Sequence, residues 1–378
     1  MPNYIFHVGL PKTATTSLQN IFASLSTPLL IYNPLGIDRQ IQQFFYHYIY
    51  QGTFASSNEV LEHHGWKIDH TIARINKTYR DKSVLISTES LSYAPNRLCY
   101  RESAEFLLRY FGDHSIKIVL VLRHQLDWML SYYNHMVTHH CLTTSFSDFY
   151  QHGVVVDPSV ASCDLQGYLF DQFAKLGEWR FSLESLDYVD IVNTFENNFG
   201  KDNVLVYTFE ELVRDNNQFI KRVGQLMGDA NFLLKNEKLP YKRPAEHVLT
   251  IKMMRFYFML LKFAGICITS SAKSRCELDR FAESQSFSKA IKVLPIYDYP
   301  KLVCSRLYRK RLMFCNADSV REICRRITRY LPYVKSIHSD EERKHYSGYW
   351  REQNSFLGCY IDDPEVRNIY LEEVDETG

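Results

Sequence analysis

The sequence predicts an α/β fold built on a mainly parallel sheet, and three observations carry that reading. Short unbroken apolar runs recur at 4–8 (YIFHV), 84–87 (VLIS), 116–122 (IKIVLVL) and 203–207 (NVLVY). Runs of that length, rich in Val, Ile and Leu, suit strands buried on both faces of a sheet. Three of the runs are followed by apolar residues at helical spacing, the β-α alternation of a parallel sheet covered by helices. Finally, 378 residues with 46% hydrophobic and 23% charged side chains suffice for a sizeable soluble core.

Taken in chain order, the first run leads through HVGLPKTATTSLQ (7–19) into Leu18, Ile21, Phe22 and Leu25, one stripe of a helix. The third leads into Leu126, Leu130, Tyr133 and Val137. The fourth leads into Phe219, Ile220, Val223, Leu226 and Met227, with Gly228 as a helix stop. Beyond about residue 240 the strand signal fades at LPYKRPAEH and the pattern turns helical and basic. Within that part, 318–331 is amphipathic: Val320, Ile323, Cys324, Ile327 and Leu331 share one side, and Arg321, Arg325 and Arg329 the other. The expected organisation is an α/β body over 1–240 and a mostly helical extension over 241–378 packed on it.

Composition narrows the function. A net charge of +1 gives no global attraction to nucleic acid. Nine cysteines, odd in number and without a CxxC pair, point to a reducing compartment and to no structural zinc site. The N-terminal MPNYIFHVGL is no secretory signal, and FYFMLLKFAGICI (256–268), interrupted by Lys262, reads as a buried amphipathic helix rather than a membrane span. The expected location is the cytoplasm, with the basic C-terminal stripe, preceded by Arg309, Lys310 and Arg311, able to meet a membrane at its inner face or to remain a solvated helix surface.

The chemistry concentrates in 7–19. A strand, a loop of small residues and a helix gather backbone N–H groups and the positive helix end around one point, which favours an anion. Lys12 adds a full charge, and Thr13, Thr15, Thr16 and Ser17 add hydroxyl donors. The Walker P-loop G-x-x-x-x-G-K-[ST] does not fit, because Lys12 follows Gly9 after only two residues and no second glycine precedes it. GLPKTATTSLQ instead resembles the 5'-phosphosulfate loop, PK-[TS]-G-T-T, of sulfotransferases that use 3'-phosphoadenosine 5'-phosphosulfate (PAPS). Ala14 replaces the glycine of that pattern, a mild departure if its φ is negative.

A second element of the family, a strand ending in arginine with a serine eight residues on, is matched by IKIVLVLRHQLDWMLSYYNH through Arg123 and Ser131; Gln125 stands where a proline is common. NVLVYTFEELVRDNNQFIKRVGQLMG is similar to the strand and helix that follow, and NSFL (354–357) resembles a C-terminal feature of bacterial members. The resemblance covers residues 4 to about 230 and implies a P-loop-like sulfotransferase fold with PAPS as donor, 3',5'-ADP as product and no metal. Gly9, Pro11, Lys12, Thr13, Ala14, Thr15, Thr16 and Ser17 would hold the 5'-phosphosulfate, and Arg123 and Ser131 the 3'-phosphate. Lys242 and Arg243 would close over the nucleotide.

Transfer of a sulfuryl group needs a cation at the departing phosphate oxygen, which Lys12 supplies, and a base for the acceptor hydroxyl. Ligands in open α/β sheets bind beyond the carboxyl ends of the strands, and Glu89 directly follows the run 84–87. ESLSY (89–93) is closer to the glutamate segment of heparan-modifying enzymes than to the histidine of cytosolic steroid and phenol enzymes; no histidine lies between 71 and 113. His135, His139 and His140 are the reserve candidates. IYNPLGI (31–37), with Tyr32 and Pro34, resembles a Tyr-Pro segment that lines the acceptor side in bacterial members, Tyr93 and Trp66 are candidate stacking faces for a sugar, and the expected acceptor is a carbohydrate or glycolipid hydroxyl. Two rival readings stand: a nucleotide-binding or docking protein of the same fold without turnover, and a P-loop kinase or triphosphatase.

Overall fold

The computed structural model describes residues 2–24, 30–54, 58–94, 97–140, 146, 186–226, 248–263, 267–269, 314–316, 320–322, 324 and 350–375. The chain divides into two compact units, one of 1–128, 184–244 and 340–378 and the other of 129–183 and 245–339. The division interleaves the sequence segments 1–240 and 241–378, and the last stretch of the chain belongs to the first unit.

The first unit holds a five-stranded sheet of β1 (Asn3–Gly9), β2 (Leu30–Tyr32), β3 (Ser83–Ser87), β6 (Ile116–Leu122) and β7 (Val204–Thr208), in the order β2-β3-β1-β6-β7. Every pairing in it is parallel. The predicted apolar runs are its strands, and β6 coincides with 116–122. Their unbroken apolarity follows from burial on both sides. On one face Ile5, Leu85, Val119, Val121, Leu205 and Tyr207 pack under Leu18, Ile21 and Phe22 of α1 (Thr15–Ser24) and under Phe219, Ile220 and Val223 of α8 (Asn216–Leu226). On the other, Tyr4 and Phe6 meet the ring of Phe111, at the end of α4 (Tyr100–Phe111), at centroid distances of 4.9 and 4.8 Å. A ring buried this completely stabilises by roughly 1.5–3 kcal/mol.

Two helices, α2 (Ile37–Phe54) and α3 (Asn58–Thr78), pack together between β2 and β3 in chain order. A small antiparallel pair, β4 (Tyr93–Ala94) with β5 (Arg97–Leu98), follows the turn after β3. Beyond β6 comes α5 (Gln125–His140), and α6 (Tyr188–Phe199) packs against α4 and β6. After β7, the sequence Thr208-Phe209-Glu210-Glu211 opens α7 (Phe209–Arg214) with a capping box: the Thr208 hydroxyl accepts from Glu211 N, and the Glu211 carboxylate accepts from Thr208 N. The other Glu211 oxygen accepts the N–H groups of Asp362 and Asp363, which ties the C-terminal pair α10 (Arg351–Gly358) and α11 (Pro364–Asp375) to the sheet. Arg214 adds salt bridges to Asp363 and Glu365, and Arg222 one to Asp362.

The second unit shows α9 (Val248–Phe263) beside a parallel pair, β8 (Cys267–Thr269) with β9 (Phe314–Asn316). The helix expected over 256–268 therefore stops early and gives way to a strand. Phe256 and Tyr257 are exposed, so these two positions are less buried than the sequence suggests. Val320 and Cys324, from the stripe expected at 318–331, are buried, while Arg325 and Arg329 lie outside the described residues. No helix among the described residues is long and apolar enough to cross a membrane.

Candidate active site

Three loops meet at the carboxyl ends of the adjacent strands β3, β1 and β6, the edge where open parallel sheets bind ligands. The loop after β1 is shaped before it starts. The pairing of β1 with β6 slips between His7 and Gly9, a bulge that re-aims the chain at the site. Gly9 then takes φ +80°, and a side chain there would lie 3.4 Å from Thr15 Cγ2, 3.5 Å from Ser92 Oγ and 3.8 Å from Glu89 Cα. Those are ordinary contact distances, so it is the positive φ rather than lack of space that calls for glycine here.

The loop is pinned from below. Leu10 N donates to Val121 O at 3.2 Å, Thr13 Oγ1 donates to Leu10 O at 2.6 Å, and Trp128 Nε1 donates to the carbonyl of buried Pro11 at 2.6 Å. Lys12 and Ala14 both have left-handed backbones, φ +69° and +61°, with Thr13 between them outside that region. Alternation of this kind turns successive N–H groups toward one concavity and makes an anion nest. The condition set by the sequence for a mild Ala14 departure is not met. A left-handed L-residue costs roughly 1–2 kcal/mol, so the loop holds strain at two non-glycine positions. Lys12 and Ser17 are half-buried and Thr16 is exposed, whereas Thr13 and Thr15 are buried with their hydroxyl protons already given to protein acceptors.

Thr15 gives its proton to Glu89. The Thr15 hydroxyl donates to Glu89 Oε1, joining the start of α1 to the single turn Glu89–Leu91. Thr88 caps that turn by accepting from Ser90 N, and Ser92 Oγ donates to Glu89 O at 3.2 Å. Just before it, Ser87 is the centre of a polar cluster that the sequence did not reveal. His7 Nδ1 lies 2.8 Å from Ser87 Oγ, and Tyr32 hydrogen-bonds the same residue. Asn33 brackets the Ser87 backbone, its Oδ1 accepting from Ser87 N at 2.9 Å and its Nδ2 donating to Ser87 O at 3.4 Å. Burial, then the charge of Asp38, pushes the Tyr32 phenol up to about 12, so it stays neutral. Burial lowers the His7 imidazole to about 4, which keeps it uncharged. Pro34 is buried at the head of the turn after Tyr32. Tyr93 pairs through its backbone with Leu98, and its side chain lies outside the described part.

Arg123 follows β6 and reaches back to the first loop. Its Nη1 donates to Lys12 O at 3.2 Å, its guanidinium lies over the Phe209 ring at 4.6 Å, and its buried Nε meets no hydrogen-bond partner among the described groups. A buried guanidinium N–H in that condition is a place for an anionic oxygen. The peptide after Arg123 is held at both ends: its carbonyl accepts from the Tyr188 hydroxyl at 2.7 Å, and the His124 N–H donates to Glu210 Oε1 at 3.3 Å. Ser131 is half-buried on α5, eight residues after Arg123. Lys242 and Arg243 lie outside the described residues, as do the side chains of His139 and His140; His135 lies on α5. Trp66 is 62% exposed on α3, where its ring stacks with those of His63 and His70.

The structure thus brings together Gly9, Pro11, Lys12, Thr13, Ala14, Thr15, Glu89 and Arg123. It adds His7, Trp128, Tyr188 and Glu210, which sequence reasoning missed. Of these, Trp128 carried a usable signal, since a tryptophan buried on a helix that covers the sheet needs an acceptor for its N–H. Among the described residues no group of His, Cys, Asp and Glu could hold a metal ion.

Comparison with known proteins gives this site a family. A family model of the sulfotransferase domain matches residues 2–240. No curated protein matches the chain. A crystal structure of a sulfotransferase from Alicyclobacillus acidocaldarius is 19% identical over 68% of this chain and 91% of that one, with a TM-score of 0.41. The mouse sulfotransferase SULT7A1, complexed with PAP, is 12% identical over 98% of this chain and 88% of its own, with a TM-score of 0.35.

Proposed function

The chain belongs to the sulfotransferase family and is an enzyme of that class, and we propose that it transfers the sulfuryl group of PAPS to a hydroxyl of a carbohydrate or glycolipid. One observation carries the donor assignment: Arg123 is hydrogen-bonded to the carbonyl of Lys12, in a loop whose alternating backbone turns N–H groups inward. A guanidinium held against such a loop, with Lys12 in the loop itself, suits a nucleotide with anionic groups at both its 5' and 3' positions. The loop 9–17 would take the 5'-phosphosulfate, through backbone N–H groups and the hydroxyls of Thr16 and Ser17. Arg123, together with Ser131, would take the 3'-phosphate. Lys242 and Arg243 are assigned to closure over the nucleotide.

In the reaction the acceptor oxygen bonds to sulfur as the bond from sulfur to the 5'-phosphate oxygen breaks, leaving 3',5'-ADP. Lys12 neutralises the charge that develops on that phosphate oxygen, an effect typically worth about 10²- to 10³-fold in rate. Glu89 receives the acceptor proton, worth about 10²- to 10⁴-fold. The acceptor side is assigned to Tyr32, Pro34 and Tyr93. Tyr32 and Asn33 are both tied to Ser87, two residues before the base, so the acceptor wall and the base share one support.

The test is incubation with PAPS and a panel of glycans, glycolipids and phenols, with 3',5'-ADP and product mass read together. A sulfated glycan or glycolipid released in step with 3',5'-ADP is the expected result. Sulfation of phenols alone overturns the acceptor assignment, and tight nucleotide binding without any product favours a binding protein that has lost turnover.

A further inference from the structure

Residues 350–375 lie more than a hundred positions beyond the region that the family model matches, yet they close onto the peptide that aims Arg123. We infer that the C-terminal helix pair α10 and α11 is a positioning element of the 3'-phosphate site, acting through Tyr370 on Glu210 and through Gln353 on Tyr188. This inference rests on the assignment of Arg123 to the 3'-phosphate.

The peptide unit between Arg123 and His124 is fixed from both sides. It follows the last residue of β6, and side chains hold both of its polar ends: the Tyr188 hydroxyl on the Arg123 carbonyl and Glu210 Oε1 on the His124 N–H. The Glu210 carboxylate and the backbone N–H of Tyr188 are in turn held by the C-terminal pair. The Tyr370 hydroxyl donates to Glu210 Oε2 at 2.5 Å. Gln353 Oε1 accepts from the Tyr188 backbone N–H at 3.1 Å and lies 3.4 Å from Gln125 Nε2. Asn354 Nδ2 lies 3.5 Å from His124 Nε2, and the Tyr370 and His124 rings meet edge to face at 5.3 Å. Tyr188, Gln125, Asn354 and Tyr370 are fully buried and His124 nearly so, so this is an interior polar network with little freedom to rearrange.

Rotation of the 123–124 peptide swings the Arg123 side chain, and the network prevents that rotation. Glu210 does so at a cost: burial raises its carboxyl, and the Tyr370 hydroxyl and the charges of His124 and Arg123 draw it back down. The Tyr370 hydroxyl is therefore the group that keeps the Glu210 carboxylate pointed at the His124 N–H. The residues act on the nucleotide through Arg123 and make no contact with it themselves.

The test compares affinities of the full-length protein for 3',5'-ADP and 5'-AMP, which differ only in the 3'-phosphate. Tyr370→Phe and Glu210→Ala are each expected to reduce the preference for 3',5'-ADP at least threefold while leaving 5'-AMP affinity unchanged. Glu210→Gln, which still presents an oxygen to the His124 N–H, is expected to retain the preference. A smaller change in preference for both disrupting variants, an equal loss for the two nucleotides, or failure of Glu210→Gln to preserve it overturns the inference. Arg123→Ala separates the two levels: if it leaves the preference intact, the 3'-phosphate assignment itself fails.

Discussion

His7 offers a prediction whose size follows directly from its surroundings. The residue sits on the central strand just before the anion loop, buried, with Nδ1 on Ser87 and its ring edge-on to Phe22 at 5.6 Å. Burial lowers its pKa from 6.5 to about 4. A histidine depressed in the folded state adds nothing to the pH dependence above 6.5, where it is neutral in both states. As the pH falls from 6.5 toward 4 the unfolded chain gains a proton that the folded chain refuses, and stability drops. At about 1.4 kcal/mol per pKa unit the loss approaches about 3 kcal/mol by pH 4. His7→Asn keeps a hydrogen-bonding group near the Nδ1 position but cannot titrate. Urea unfolding of both proteins at pH 7 and pH 4.5 should show the variant less stable at pH 7, yet with a decline toward pH 4.5 smaller by about 2.5 kcal/mol. Equal declines in the two proteins would refute a buried neutral imidazole at this position.

Three further substitutions probe the loops. Ala14→Gly relieves a left-handed backbone at φ +61° and gives up a methyl that packs partly on the core, so a net gain of up to about 1 kcal/mol, and a midpoint higher by about 2–4 °C, is expected in calorimetry; a lower midpoint contradicts the strain. Trp128→Phe strips the buried Pro11 carbonyl of its donor and should cost about 1–3 kcal/mol in urea unfolding, with weaker nucleotide binding because the loop is released; no change in either contradicts the pinning role. Glu89→Gln still offers an oxygen to the Thr15 hydroxyl but takes no proton, so turnover should fall about 10²- to 10⁴-fold with nucleotide affinity kept. Unchanged turnover would return the base to His135, His139 or His140.

The core strands were legible because burial on both faces leaves an unbroken apolar run, as in 116–122. The strand Leu30–Tyr32 was missed for the converse reason: it is three residues long, and two of them are only partly buried. The loop Gly9 to Ser17 showed its composition but not its backbone. Ala14 is left-handed in a loop whose Leu10 and Pro11 are tied to Val121 and Trp128, and such long-range ties leave no mark in local spacing. The polar network around Arg123 was hidden by distance, since Glu210 and Tyr370 are 160 residues apart in the chain. Glu89 was singled out by its place directly after a strand, whereas its bond to Thr15, 74 residues away in the chain, leaves no mark in the sequence.

Sulfuryl transfer that depends on Lys12 is the centre of this account. The direct measurement is a single-turnover reaction of PAPS with a responsive acceptor, in which sulfated product is quantified by mass for the wild-type protein and for Lys12→Ala. The wild type should release one sulfated acceptor for each 3',5'-ADP, and the variant should react at a rate at least about 10²-fold lower. Product formation at the wild-type rate by Lys12→Ala would remove the loop from the chemistry and contradict the mechanism.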